Sequence, residues 1–595
     1  MSIPFESFAQ DHPNLHGGSK DHFGFSIDRV LVQGHSVTIP KSGVTAFVGG
    51  NNVGKSTLLR QIAHWIESYD RQSIPPEIVT DLHVDTRGTP ADFIRWLYES
   101  APVGSNNGAV GVWTGAGFLS STMFGHLHQR LAKGHLGQDL GGLFRLHATT
   151  TQRLALAQPT PRRATLDDPP QNMLDYMEYN VSLQERYDAI CQEAFDQHVF
   201  LDTLGAHNVL RIGEPDMAPP LANQISAEYA AAVTSCRPLH EQGDGMNSMM
   251  GLLLAVMTAT YPVILVDEPE AFLHPPQARI LGRELAKLAQ EAGVQVLLAT
   301  HDRHILQGLM DAKDANVSVV RLTRRGDQTA AHQLPADQLR ELWENPILRY
   351  SSLLDGLFHR AVVLAEHDRD CRFYENALAE LEEGGANVAR DVHFVPTSGK
   401  TSLHLYASAM VACGVPTVVT ADLDLLNDES NTKRLYEVLS GHWATVESDY
   451  RTATNQFRQP RAPRYNSDVL MAIKAVLNPV LESRYDKATQ EQVKAHLHVE
   501  SQWEPVKTYG MNAFTAERTR ANRLLDNLDQ QGLVLVRVGE LEKFAPEIPP
   551  NKSTFVPKAL EAGAHKEADA KEHARNILRA ISIKEMGNDT GVACH

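Results

Sequence analysis

The chain has little of what marks a secreted or membrane protein. Cysteine is scarce: five in 595 residues, at Cys191, Cys236, Cys371, Cys413 and Cys594, with no C-x-x-C pair. That scatter argues against a disulfide framework or a zinc knuckle and suits a reducing cytoplasm. Met1 to Lys20 contains Asp11, His12 and Pro13 and lacks the apolar core of a secretory signal. One apolar stretch, Met249 to Val266, approaches the length of a membrane span. Pro262 interrupts it and an acidic Asp-Glu-Pro-Glu follows, so a buried helix feeding a buried strand is expected, and no membrane partner. Heptads, internal repeats and low-complexity blocks are missing, which excludes a long coiled-coil clamp and a solenoid. Positive charge is also short. At a net charge of −17 the surface as a whole does not suit phosphate, so any nucleic-acid contact must come from a local groove or from bound divalent metal.

What is present is globular in composition, 42% hydrophobic and 21% charged, and long enough for about two to four domains. Short apolar runs (VTAFVGG, VILVDEP, VQVLLATH) alternate with helical stretches from about Phe23 to Thr57 and again from Glu228 to Leu322. That rhythm predicts a parallel sheet flanked by helices. The expected domains are a first α/β domain over 1–333 with an insertion at about 68–227, a helical linker over 334–356, and a second α/β domain over 357–595. In the last, AVVLAE, VHFVP and PTVVTADLD read as strands separated by helices, a doubly wound parallel unit. Mostly helical sequence follows about Asn431, then a strand-like LVLVRVG, a charged helix and a tail.

TAFVGGNNVGKST places Gly49, Gly54, Lys55 and Ser56 at the G-x-x-x-x-G-K-[ST] spacing, directly after an apolar run. Backbone N–H groups of such a loop, with Asn51 and Asn52 at its tip and Thr57 opening the next helix, close around phosphate oxygens. Lys55 reaches the β- and γ-phosphates of ATP, and Ser56 ligates Mg²⁺. A second strand ends in Asp267-Glu268, where Asp267 would hold Mg²⁺ and Glu268 would polarise the attacking water. A third ends at His301, placed to contact the γ-phosphate. A chance glycine turn, a solvated acidic pair and a core histidine are the bland alternatives, and the strand–loop–helix context weighs against all three together.

Further on, Glu366 and Asp370 follow one strand and Asp422 and Asp424 another. Strand C-termini of a doubly wound sheet share one rim, so the four carboxylates converge if those strands are neighbours. Oxygen-rich clusters of this kind suit Mg²⁺ or Mn²⁺ and phosphodiester cleavage. Gly399 and Lys400 lie in the loop after the middle strand, where a lysine can meet phosphate.

The first set of motifs resembles the ABC-type ATPases, including the structural-maintenance-of-chromosomes branch. That resemblance implies a signature loop acting on the opposite subunit's nucleotide, placed here at Gly243, Gly245 and Ser248. It also implies a glutamine loop, placed at Gln152, and a dimer or tetramer joined through ATPase heads. The carboxylates resemble the Toprim domain, which implies Glu366 as general acid/base or metal ligand, Asp370 in support, Asp422 and Asp424 as metal ligands, and double-stranded DNA as substrate. Toprim glutamates are usually followed by glycine, whereas His367 follows here. An ABC-type head and a Toprim half on one chain resemble the OLD (overcoming-lysogenization-defect) ATP-dependent nucleases. This implies a role in anti-phage defence, a second defence-system protein as possible partner, and late site residues at Glu542 and at Lys552 or Lys558. A transporter ATPase, a topoisomerase and a zinc-bearing primase fit less well. The rival is a non-cleaving ATPase sensor or scaffold whose Toprim half binds nucleic acid or an effector protein.

Overall fold

The computed structural model describes residues 20–589 except 68–76, 101–102, 107, 115–116, 124–136, 164–169, 171, 222–223, 260, 335–339, 341–342, 345–351, 383–390, 398, 459–464, 498–500 and 552. The chain divides into two compact units, Met1–Tyr350 and Ser351–His595.

In the first unit β1 (Gly24–Val32), β2 (His35–Thr38) and β4 (Val79–Arg87) form an antiparallel sheet in the order β2-β1-β4. The main sheet holds β3 (Gly43–Val48), β5 (Arg145–Ala148), β6 (Val263–Asp267), β7 (Gln295–Thr300), β8 (Val317–Arg325) and β9 (Gln328–Leu334), in the order β9-β8-β3-β7-β6-β5. All neighbours are parallel except the β8–β9 hairpin. β3 and β7 are buried at every residue, as strands with both faces covered must be, which is why they read as unbroken apolar runs. α1 (Lys55–Glu67) buries Leu58, Leu59, Ile62, Trp65 and Ile66 in a core shared with Phe47, Leu265 and Leu297. The two sheets are stitched by Gln295, whose amide accepts from Ile27 N and donates to Ile27 O, both at 2.8 Å.

The Met249–Val266 stretch resolves as expected, into helix and strand. α2 (Thr150–Arg153) precedes α3 (Asp244–Met257), which buries every residue from Asn247 to Val256 and leads into β6. No helix among the described residues is long and apolar enough to cross a membrane. α4 (Pro275–Ala292) starts on Pro275 and stops at Gly293, whose φ of 68° ends the helix. The span 68–227 is not set apart from the core: β4 pairs with β1, and β5 supplies the strand beside β6. Leu334 closes β9 and Ser352–Phe358 is a 3-10 helix, while most of the intervening linker lies outside the described residues.

In the second unit β10 (Ala361–Ala365), β11 (Val392–Pro396), β12 (Thr417–Asp422) and β13 (Leu533–Val536) form a wholly parallel sheet, in the order β11-β10-β12-β13. α5 (Asp368–Glu382) and α6 (Leu403–Ala412) make the crossovers. The segment between β12 and β13 is helical. Within it α7 (Asn466–Leu477) and α8 (Lys487–Leu497) have no buried residue, whereas α9 (Glu504–Tyr509) buries Val506. The C-terminal α10 (Ala568–Asp589) packs Ala574, Ile577 and Ile581 against α5 and the strands.

Candidate functional site

In the first unit β3, β7 and β6 lie side by side and end at one rim, which brings three distant motifs together. The loop after β3 needs glycine at Gly49: its φ is +146°, and a Cβ there would stand 2.4 Å from Leu322 O. Asn51 and Asn52 are exposed at the tip, and Asn52 is itself left-handed at φ 62°. Gly54 leads into α1, where Thr57 is half-buried. Lys55 Nζ donates to Gly49 O and Gly50 O at 2.9 and 2.8 Å. Burial lowers its pKa, against the opposing pull of Glu268, Glu270 and Asp267. Ser56 Oγ donates to Asp267 Oδ1 at 2.9 Å, so the two expected Mg²⁺ ligands already meet. His301 Nδ1 lies 3.7 Å from Glu268 Oε1 and 3.3 Å from Glu270 Oε1.

Two residues of this site were not picked out from the sequence. Glu270 is buried and accepts from Thr300 Oγ1 at 2.8 Å and His301 N at 3.1 Å. Its second oxygen, Oε2, is buried without a partner, and burial raises the carboxyl pKa. Its signal was the Glu-Pro-Glu repeat after Asp267. Arg153 is fully buried, and its guanidinium donates to Asp267 O, to Glu268 O at 2.9 Å and to Ser248 Oγ at 2.9 Å.

The signature-loop placement needs correction at Ser248. It is 1% exposed, inside α3, and spends its hydroxyl on Arg153, so it does not present itself to another subunit. Gly243 caps α3 and is exposed, as is Asp244. Gly245 is explained by packing, since a Cβ there would lie 2.5 Å from Phe272 O. Gln152 is corrected too: its side-chain oxygen turns back onto Thr149 N and Oγ1 in a capping box, at the exposed start of α2.

In the second unit β10 and β12 are neighbours, so Glu366 and Asp422 leave the sheet side by side. The loop after β11 is tied to the end of β10 by Thr397 Oγ1 to Ala365 O (3.1 Å) and Gly399 N to Glu366 O (2.9 Å). This delivers Lys400 Nζ onto Asp424 Oδ1 and to 3.9 Å from Glu366 Oε1. Lys507, from α9, meets Asp424 Oδ2 at 3.1 Å. No sequence motif marked it. Asp370 Oδ2 accepts from His367 N at 2.9 Å at the start of α5, and Arg369 Nε lies 3.5 Å from its other oxygen. Arg369 also bonds Glu542 at 2.8 Å, bringing that late acidic residue to the edge of the cluster. Lys558 is exposed on the helix Phe555–Glu561, and Lys552 lies outside the described residues. His367 keeps a negative φ, so this turn does not need glycine.

Burial, then the neighbouring Asp370 and Asp424 charges, push the Glu366 carboxyl up to about 7, with Lys400 opposing. Burial likewise drives Asp422 well above its ordinary range, with Glu366 adding to the effect, and raises Asp370. Glu366 Oε1 is buried without a hydrogen-bond partner. Crowded, desolvated carboxylates with an unsatisfied oxygen are what a hard divalent cation relieves, so the donor set fits one. Among the described residues, however, no three His, Cys, Asp or Glu groups are already gathered in a metal-holding arrangement.

Comparisons with known proteins agree with the two sheets. Residues 236–307 match the family described as "AAA domain, putative AbiEii toxin, Type IV TA system", and residues 357–424 match "Overcoming lysogenization defect protein-like, TOPRIM domain". The chain therefore joins a P-loop ATPase domain of the AAA/ABC type to a Toprim domain. Its Toprim half is of the overcoming-lysogenization-defect-like kind. No curated protein matches the chain. Solved structures similar to it include an Smc head bound to the C-terminal winged-helix domain of ScpA, at 9% identity over 52% of this chain and 99% of that one, TM-score 0.32. Another is the SMC head domain from Thermotoga maritima, at 14% identity over 52% and 99%, TM-score 0.27. Superpositions this loose add nothing to the strand order.

Proposed function

We propose that the chain is an ATP-regulated endonuclease: the first unit binds and hydrolyses ATP, and the second cleaves the phosphodiesters of double-stranded DNA in anti-phage defence. The observation that carries the reading is the convergence of Glu366, Asp370, Asp422 and Asp424 with Lys400 and Lys507 at one rim of a parallel sheet. Divalent metal, Mg²⁺ or Mn²⁺, would supply charge neutralisation at the scissile phosphate and a more acidic water. Glu366, Asp422 and Asp424 would hold it, with Asp370 supporting. Without metal, burial pushes the Glu366 carboxyl up to about 7, and a bound divalent cation would draw it into the charged form that ligates. Lys400 and Lys507, now paired to Asp424, are the cations within reach of a phosphate. In the first unit Gly49 to Lys55 and Thr57 would bind the phosphates of ATP. Ser56 and Asp267 would hold Mg²⁺, Glu268 would orient the water, and His301 would meet the γ-phosphate. Self-association as a dimer or tetramer through ATPase heads, and a second defence-system protein, complete the proposal.

The test is plasmid DNA incubated with the full chain and Mg²⁺ or Mn²⁺, with and without ATP. Nicking that EDTA abolishes is expected. Glu366→Gln and Asp422→Asn should each lose roughly a hundredfold, the equivalent of about 3 kcal/mol of transition-state stabilisation. Unchanged nicking in both variants would assign the cutting elsewhere. A wild type that never cuts moves the conclusion to the second reading, an ATP-driven sensor or scaffold with a binding Toprim half. The observation favouring that reading is the pairing of Lys400 and Lys507 on Asp424, which offsets its charge.

A further inference from the structure

Arg153 follows Gln152, whose side chain turns back in a capping box, and it is the side chain that joins two parts of the ATPase site. Each of its three nitrogens has a partner: Nε bonds Ser248 Oγ of α3, Nη1 bonds Asp267 O, and Nη2 bonds Glu268 O at the exit of β6. The backbone of Glu268 is left-handed at φ 47°, a conformation that a non-glycine residue keeps only when its surroundings fix it. Glu268 N donates to Ala299 O, and Arg153 grips the carbonyl on the other side of the same residue. α3 packs closely on this segment, since a Cβ at Gly251 would stand 3.1 Å from Arg153 O. The exposed Gly243 caps the helix that holds exposed Asp244 and buried Ser248, so a displacement of that turn would reach Ser248 and through it Arg153.

We infer that Arg153 is a positioning residue for ATP hydrolysis: it fixes the Glu268 carboxylate through its main chain and couples it to the N-terminal turn of α3. This rests on the reading of Glu268 as the residue that orients the attacking water. A fork of three donors aimed at three oxygens also explains why the group is an arginine. A buried aliphatic chain would fill the space but leave two carbonyls unpaired, and a lysine presents its donors from a single nitrogen.

The experiment compares the full-length wild type with Arg153→Lys, Arg153→Gln, Ser248→Ala and the double variant Arg153→Lys/Ser248→Ala. Steady-state ATP turnover is measured alongside the Kd of a fluorescent ATP analogue and the melting temperature. Arg153→Gln should lower kcat by about tenfold or more while Kd moves by less than about threefold, the signature of an interaction that matters in the transition state. Arg153→Lys should recover part of the rate. Ser248→Ala should lower kcat by a few fold, and the double variant should fall no further than Arg153→Lys alone, because both act through one bond. If Arg153→Gln does not fold, the lysine variant, Ser248→Ala and their double decide the matter. Turnover within about twofold of wild type in Arg153→Lys and Ser248→Ala, losses that multiply in the double, or a Kd that weakens in step with kcat would each overturn the inference. A wild type that does not hydrolyse ATP would instead remove the reading of Glu268, and the role of Arg153 with it.

Discussion

Glu366 stands where burial, two like charges and one lysine act on a single carboxyl, and the balance leaves it protonated up to about pH 7. A group that holds its proton more tightly when folded stabilises the fold fully below the unfolded carboxylate pKa, and loses that contribution as pH rises through its folded value. With EDTA present, the melting temperature of the second unit should therefore fall between about pH 5 and pH 8. Mg²⁺ or Mn²⁺ should restore it at the upper end by favouring the charged form. Glu366→Gln should flatten part of this slope but not all, since Asp370 and Asp422 are raised as well. A variant whose melting temperature tracks wild type across the whole range would contradict the buried, proton-holding Glu366. At this scale the phosphate loop, the Asp267-Glu268 pair and the two carboxylate motifs were legible in the sequence, because each is a short run whose spacing is itself the chemistry. Arg153 and Lys507 were not, because neither is defined by its neighbours in sequence. Arg153 reaches Ser248 at a separation of 95 residues, and Lys507 finds Asp424 only once the helices between β12 and β13 are in place.

Among the elements, α3 divides sharply along its length. Its first turn is exposed at Gly243 and Asp244, and every residue from Asn247 to Val256 is buried. A surface that engages a second head would therefore use the first turn. Gly243→Arg should leave the melting temperature nearly unchanged while reducing ATP turnover and the dimer fraction seen by light scattering. Ser248→Arg should act differently, forcing a second cation beside Arg153 and unfolding the unit, the outcome expected when a buried charge goes unpaired. Equal melting temperatures for the two variants would count against this division. The sequence predicted a helix here, but a linear motif does not say which turn faces solvent. The same gap separates α7 and α8, helical but without a buried residue, from α9, which is shorter yet carries Lys507 to the carboxylates.

Taken whole, each of the two compact units carries its rim of chemistry on one sheet, mostly parallel in the first and wholly parallel in the second. Their order along the sequence has a consequence during synthesis. β3 bears the phosphate loop and is buried throughout, but its partners are β7 and β8, which begin at Gln295 and Val317. A growing chain thus carries a complete nucleotide motif for most of the time the unit takes to be made, on a strand with no sheet to join. Such a strand is an exposed apolar edge on the ribosome and a ready target for chaperones. Ribosome-bound chains arrested at about residue 290 should remain protease-sensitive through β3 and α1, and chains arrested at about residue 400 should resist. Equal resistance at both lengths would mean that the strand finds an earlier, different partner, and that the nucleotide-binding loop is assembled before the sheet that finally holds it.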